Sequence, residues 1–301
     1  MEELVTGQID TLAFGGYGVL RHNNFVIFVP FTAPGDRITC RIVDKKKRYA
    51  FGVVEEYLQK GPSHTTPGCP YYGECGGCQL QHLTYEAQLD YKQTSVKDAF
   101  SRIGSLGDVP LEILPAEMQW QYRRHVTLHF KQVDKICKLG YIAIDHKSLL
   151  SITHCPIFNN ADDPVISEAR ELANFLDEGD VSIYKQDDKY VLHYQLDKMP
   201  SESYFQKALA RNSSWLGIVV SNGRKVKSFG QTTLHIVVEG LNISFTPHTF
   251  IQNHPEQSLN IYKKVMEIAE ATKASHVLDF YCGIGISSLL LAQKKHSSHG
   301  D

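Results

Sequence analysis

Cys69-Pro-Tyr-Tyr-Gly-Glu-Cys75-Gly-Gly-Cys78, followed by Gln79-Leu80-Gln81-His82, places three thiols within ten residues. Soft thiolates this close can clamp one metal centre, either zinc or iron–sulfur. Gly76 and Gly77 allow a tight backbone turn between Cys75 and Cys78. Cys155-Pro156 repeats the step Cys69-Pro70 and offers a fourth thiol, and a Cys-Pro step also closes one common iron–sulfur run. On spacing alone zinc stays open, because Cys75-x-x-Cys78 with His82 makes three quarters of a tetrahedral site. Disulfides fit poorly: the seven cysteines are an odd number, and no signal-like apolar segment opens the chain. A reducing cytoplasm is the expected setting.

Upstream of this loop the sequence alternates like a small β-barrel. Val5 to Ile9, Phe25 to Val29, Asp36 to Val43 and Phe51 to Tyr57 are strand-like runs, and Gly15-Gly16-Tyr17-Gly18 reads as a hairpin turn. Downstream, Tyr85, Leu89, Val96, Phe100 and Ile103 recur at helical spacing between Thr84 as N-cap and Gly104 as stop. Tyr122-Arg123-Arg124 leads into the alternating strand Val126, Leu128 and Phe130, with Leu139 to Ile144 as its partner. Pro164 to Leu176 reads as a helix, and Val181 to Leu196 as two strands around an Asp-Asp-Lys turn. Ser203 to Ala210, Leu216 to Val220 and Leu234 to Val238 complete a mixed α+β region.

Phe250-Ile-Gln252 precedes a helix from about Pro255 to Ala271, and then comes Val277-Leu-Asp279-Phe-Tyr281-Cys282-Gly283-Ile-Gly285. The pattern predicts a buried strand ending in a glycine turn that opens a helix, as where a Rossmann-like sheet meets a nucleotide cofactor. The third glycine of the dinucleotide fingerprint is absent and an acid precedes the turn, which favours methyl transfer over hydride transfer.

The cysteine run, the Gln-His element after it and the lone distant cysteine resemble the RNA (uracil-5-)-methyltransferases that carry a four-iron, four-sulfur cluster. The resemblance spans nearly the whole chain. It implies Cys69, Cys75, Cys78 and Cys155 as cluster ligands, and it makes the first sixty residues a TRAM module, an oligonucleotide-binding type of barrel. It further implies an S-adenosyl-L-methionine site. Gln252 and Tyr281 would contact the cofactor, Gly283 and Gly285 would admit it closely, and Asp279 would order the turn. His254 stands where the family usually has Asn. The implied activity is methylation of uracil C5 in RNA, ribosomal RNA ahead of transfer RNA.

The expected architecture is therefore a multidomain α/β chain. Residues 1–60 form a TRAM/OB-like barrel, residues 61–245 an α+β central domain with the iron–sulfur site, and residues 246–301 the start of a Rossmann-like methyltransferase domain. Only one strand of that last domain is foreseen before Gln293 to Asp301, a polar tail without periodicity. The chain is thus expected to stop early in the catalytic domain. Family members place the nucleophilic cysteine and the base downstream of the cofactor glycines, so no catalytic residue is assigned. Cys282 is expected to pack behind the cofactor, and Cys40 and Cys137 to be packing or surface residues. The alternative is a non-catalytic RNA-binding iron–sulfur protein.

A formal net charge of −2 means that RNA contacts must come from local patches. Lys45, Lys46, Lys47 and Arg48 beside Tyr49 form one, read either as a groove for single strands or as a solubilising loop. Arg123 and Arg124 are either phosphate contacts or half of a strand-edge ion pair. Lys207, Arg211, Arg224, Lys225 and Lys227 make a third. No apolar run approaches a membrane span, and neither His-Glu-x-x-His, a Gly-x-Ser-x-Gly elbow nor a phosphate loop occurs. No obligate protein partner is evident, short of a second chain completing the catalytic domain.

Overall fold

The computed structural model describes residues 3–297, whose chain forms two compact units, Met1–Pro115 with Ala143–Lys147 and Ala116–Ile142 with Ser148–Asp301.

In the first unit β1 (Leu4–Ala13), β2 (Tyr17–His22), β3 (Phe25–Val29), β4 (Arg37–Lys45) and β5 (Tyr49–Gln59) close a barrel in the order β1-β2-β3-β5-β4. Side chains on a strand alternate between faces, so Val5, Ile9, Leu20, Ile27, Val29, Ile38 and Ala50 fill the interior. Burying a side chain of this kind stabilises a fold by about 1.5–3 kcal/mol. The β1–β2 turn uses left-handed backbone at Gly15 (φ 88°) and Gly16 (φ 81°), which glycine adopts without strain. Tyr17 and Gly18 belong to β2 instead of the turn.

The barrel is tied to the segment that follows it by a buried polar network. The Asp36 carboxylate accepts from the amides of Ala33 (2.8 Å) and Gly61 (2.7 Å) and meets His64 Nδ1 at 2.9 Å. Helix α1 (Tyr85–Arg102) starts where the Thr84 hydroxyl accepts from the Ala87 amide at 3.3 Å. None of its residues is buried, and Ile103, just past its end, is 86% exposed.

In the second unit a seven-stranded sheet runs β12-β11-β10-β9-β6-β7-β8, built from β6 (His125–Val133), β7 (Ile136–Ile142), β8 (Leu149–Ser151), β9 (Glu178–Gln186), β10 (Lys189–Leu196), β11 (Trp215–Ser221) and β12 (Val226–Gly230). Only β10 and β11 pair in parallel, and the crossover between them is α3 (Glu202–Arg211). Helix α2 (Val165–Ala173) buries Val165, Ile166, Ala169 and Leu172, and Tyr194, fully buried in β10, donates to the Ala169 carbonyl at 2.9 Å. The hairpin β13 (Leu234–Val238) and β14 (Leu241–Phe245) joins α4 (Pro255–Ala271) and α5 (Ile286–Ser297) around Val238, Ile243, Met266, Ile286 and Leu290.

The buried strand expected at Val277–Phe280 does not form. Val277, Leu278 and Phe280 are 47%, 78% and 76% exposed, and no strand is assigned between α4 and α5. A strand needs a neighbour to take its amides and carbonyls, and this segment has no ladder partner among the described residues. Helix α5 runs through Ser297, into the stretch expected to be an aperiodic tail; the last four residues lie outside those described. Among the described residues no helix is long and apolar enough to cross a membrane.

Candidate cofactor and RNA site

The glycine turn is assembled by the residues the sequence singled out. Gly283 (φ 57°) and Gly285 (φ 76°) both occupy left-handed backbone, and Gly285 N–H donates to the Cys282 carbonyl at 2.9 Å, turning the chain into α5. The Asp279 carboxylate accepts from the hydroxyls of Ser287 (2.6 Å) and Ser288 (2.8 Å) in the first turn of that helix. Those two bonds, Ser287 first, hold its carboxyl below the usual range. Around Gly285 the space a Cβ would take is open, and at Gly283 the nearest atom is the Phe250 carbonyl oxygen, 3.9 Å away. The Phe250–Gln252 element thus comes up beside the turn. Gln252 is exposed, and Tyr281 projects fully into solvent from a left-handed backbone (φ 60°). Cys282, expected to pack behind the cofactor, is exposed.

Asn253, which the sequence reading passed over, links this element to the arginines. Its backbone carbonyl accepts from the Arg124 amide (3.0 Å), and its side-chain oxygen accepts from the His125 amide (3.1 Å). His254 serves structure: it stacks on Tyr122 with ring centroids 4.5 Å apart, approaches the Met118 carbonyl through Nε2 at 3.1 Å, and caps α4 at Gln257. The only hint in the sequence was an amide residue directly after Phe-x-Gln.

Arg123 and Arg124 line a cavity of about 570 Å³ whose walls include Tyr122, Tyr184, Lys185, His235, Phe245 and Ile251. Neither arginine has a salt bridge among the described residues, which removes the strand-edge ion pair as an explanation. Both Nε atoms are buried without a hydrogen-bond partner, and burial pulls the Arg124 guanidinium below its ordinary value. A buried donor left unmade costs about 1–3 kcal/mol, more when charged. Burial likewise lowers His125, with Arg123 adding to the shift.

Cys69, Cys75 and Cys78 are half-buried in the first unit, and Cys155 is buried in the second. Burial raises the Cys69 and Cys75 thiols, and Cys78 pushes both further in the same direction. Cys155 Sγ accepts from the Tyr141 hydroxyl at 3.8 Å, and its amide donates to Asn159 Oδ1 at 2.9 Å. Among the described residues no group of three or more His, Cys, Asp or Glu is arranged to hold a metal ion. His82 is committed elsewhere: Nε2 meets the Thr32 carbonyl and Nδ1 the Tyr72 hydroxyl (2.6 Å), so the zinc set with His82 has lost its histidine. Cys40 and Cys137 are buried packing residues.

An RNA methyltransferase of Protochlamydia amoebophila, itself uncharacterized, is 45% identical over 97% of this chain and 69% of its own length. The chain belongs to the RNA methyltransferase family. A second relative, an uncharacterized RNA methyltransferase of Halalkalibacterium halodurans, is 28% identical over 99% of the chain and 71% of its own length. The methyltransferase therefore spans about 70% of the length of these relatives. Residues 5–57 match the family model described as tRNA (uracil(54)-C(5))-methyltransferase, TRAM domain, which makes the barrel a TRAM domain. The crystal structure of Pyrococcus abyssi tRNA (uracil-54, C5)-methyltransferase in complex with S-adenosyl-L-homocysteine shares the fold, with a TM-score of 0.75 at 22% identity over 96% of this chain and 70% of that one.

Proposed function

We propose that this RNA methyltransferase acts at C5 of uridine, with S-adenosyl-L-methionine as methyl donor. The observation that carries the reading is the segment Phe250–Asn253: Asn253 accepts from the Arg124 amide, and the Phe250 carbonyl oxygen lies 3.9 Å from where a Cβ on Gly283 would stand. Gln252, Tyr281, Asp279, Gly283 and Gly285 are the proposed cofactor residues, and the arginine cavity takes RNA phosphate. The cofactor supplies an electrophilic methyl group. The Pyrococcus abyssi enzyme, solved in complex with S-adenosyl-L-homocysteine, supports that choice.

Cys69, Cys75, Cys78 and Cys155 are the proposed ligands of a four-iron, four-sulfur cluster, for which an all-thiol donor set is suited. Methyl transfer moves no electron, so the cluster would act as a structural cross-link. Ribosomal RNA is the proposed substrate. The TRAM match to a tRNA (uracil-54) enzyme favours transfer RNA as the second reading.

Incubating the protein with methyl-labelled S-adenosyl-L-methionine and each RNA, then digesting to nucleosides, tests this. Label in 5-methyluridine is the expected result; label in cytidine, in adenosine or on ribose overturns it.

A further inference from the structure

We propose that Glu256 is a positioning residue for the arginine cavity: it clamps the segment 117–122, which supplies one wall, and so sets how tightly the cavity holds RNA. The inference rests on that cavity taking RNA phosphate. Met118, Gln121 and Tyr122 line it, yet no helix or strand runs between residues 117 and 122. A segment with no ladder or helix of its own takes its conformation from whatever receives its backbone groups. Here the receiver is the start of α4. The Glu256 carboxylate accepts from the Glu117 amide (2.9 Å to Oε1, 3.1 Å to Oε2) and from the Met118 amide (3.1 Å to Oε2). From the same end of α4, His254 meets the Met118 carbonyl and stacks on Tyr122. The far end of the segment is held separately, because the Gln121 and Arg123 amides donate to the Pro156 and Ile157 carbonyls, both at 2.9 Å.

An acid in the first turn of a helix is ordinarily explained by attraction to the positive end of the helix dipole. That explanation asks only for charge. It does not account for both carboxylate oxygens facing two consecutive amides that lie 139 and 138 positions away in the chain. These bonds, Glu117 first and Met118 second, hold the Glu256 carboxyl below its usual range, so the clamp is charged at neutral pH. The wall needs such support: Gln121 sits in left-handed backbone (φ 53°), a conformation that a residue with a side chain holds only where its surroundings impose it. Arg123 and Arg124 follow directly, so the clamp fixes the approach to the two cations.

The test uses the full chain and a fluorescein-labelled oligouridylate, read by anisotropy. Glu256→Ala should weaken binding about fivefold, the upper end for an exposed charged contact. Glu256→Gln keeps one acceptor oxygen at the same reach and should lose less. A double-mutant cycle decides whether the effect passes through the arginines: with Arg123→Gln and Arg124→Gln already in place, Glu256→Ala should cost nothing further. Trp120 lies inside the clamped segment and is 40% exposed, while the other tryptophan, Trp215, is buried, so acrylamide quenching should rise in Glu256→Ala. Undiminished affinity in Glu256→Ala, or a loss that persists in the doubly substituted background, overturns the positioning role while leaving RNA methylation standing. Weaker binding with unchanged quenching would place the effect outside the segment and overturn the clamp. Absence of any binding by the wild type removes the RNA reading and this inference with it. Should Glu256→Ala fail to fold, Glu256→Gln carries the same cycle: a loss confined to the background with both arginines supports the role, and no loss overturns it.

Discussion

The imidazole of His82 is held to the carbonyl oxygen of Thr32, with Nε2 3.0 Å away. A carbonyl can only accept, so this nitrogen carries the ring proton, and Nδ1 is left to the Tyr72 hydroxyl. His82 therefore fastens the cysteine loop to the barrel. His82→Ala should lower stability by about 2 kcal/mol, since it removes a buried imidazole and strands the Thr32 carbonyl, while the Tyr72 hydroxyl keeps the Gln79 carbonyl. Denaturant unfolding measures this. Iron content should be retained in the variant, and a loss of metal without a loss of stability would return His82 to the list of ligands.

Acid should destabilise the protein well before carboxylates titrate. His82, His125 and His193 are all lowered by burial, His193 to about 4 with His248 as a secondary cause. Each takes up a proton more readily when unfolded, where its ordinary value is about 6.5, so stability is whole above that pH and drains away as pH falls through it toward the folded value. His193 alone contributes about 2 kcal/mol of loss between pH 7 and pH 5. Thermal melts across this range should show a falling midpoint, and a flat profile would contradict the assignment.

Protein purified without oxygen should be brown, with about four iron and four sulfide per chain if the thiols hold the proposed cluster. Cys75→Ala and Cys155→Ala should each bleach it. Stoichiometric zinc in place of iron would refute the cluster.

Asp279→Ala releases both serine hydroxyls from the turn, and affinity for S-adenosyl-L-homocysteine should fall about tenfold, the cost of one charge-assisted hydrogen-bonding group. Isothermal titration reads the change directly. Unaltered affinity would place the cofactor elsewhere.

For the arginine cavity, the double variant Arg123→Gln, Arg124→Gln should weaken RNA binding and make the salt slope shallower by about one unit per lost phosphate contact. If affinity drops while the slope stays, the arginines support structure and do not touch the backbone of the nucleic acid.

Helix ends were plain in the sequence because their signals are local: Thr84 caps α1, and Pro164 and His254 precede α2 and α4. Strand β2 was hidden by glycines that only half belong to the turn, and β12 by lysines that read as a charged patch. Val277–Phe280 carries strand-like residues, but a strand is a property of two chains of backbone, and composition cannot supply the second. The glycine turn, with its side-chain bonds from Asp279 to Ser287 and Ser288, follows from residues close in sequence. The arginine cavity does not, since Asn253 reaches Arg124 and His125 across well over a hundred positions.

The barrel's closure carries one more consequence. A cylinder of five strands has no first or last member, so nothing can be zipped onto it from outside. The open seven-stranded sheet does have rims, a three-residue one at Leu149–Ser151 and a five-residue one at Val226–Gly230. Heat-driven fibril growth, where it starts from native structure, is thereby steered to the longer of those rims, and a proline at Ser228, whose amide faces away from β11, is the simplest way to blunt it.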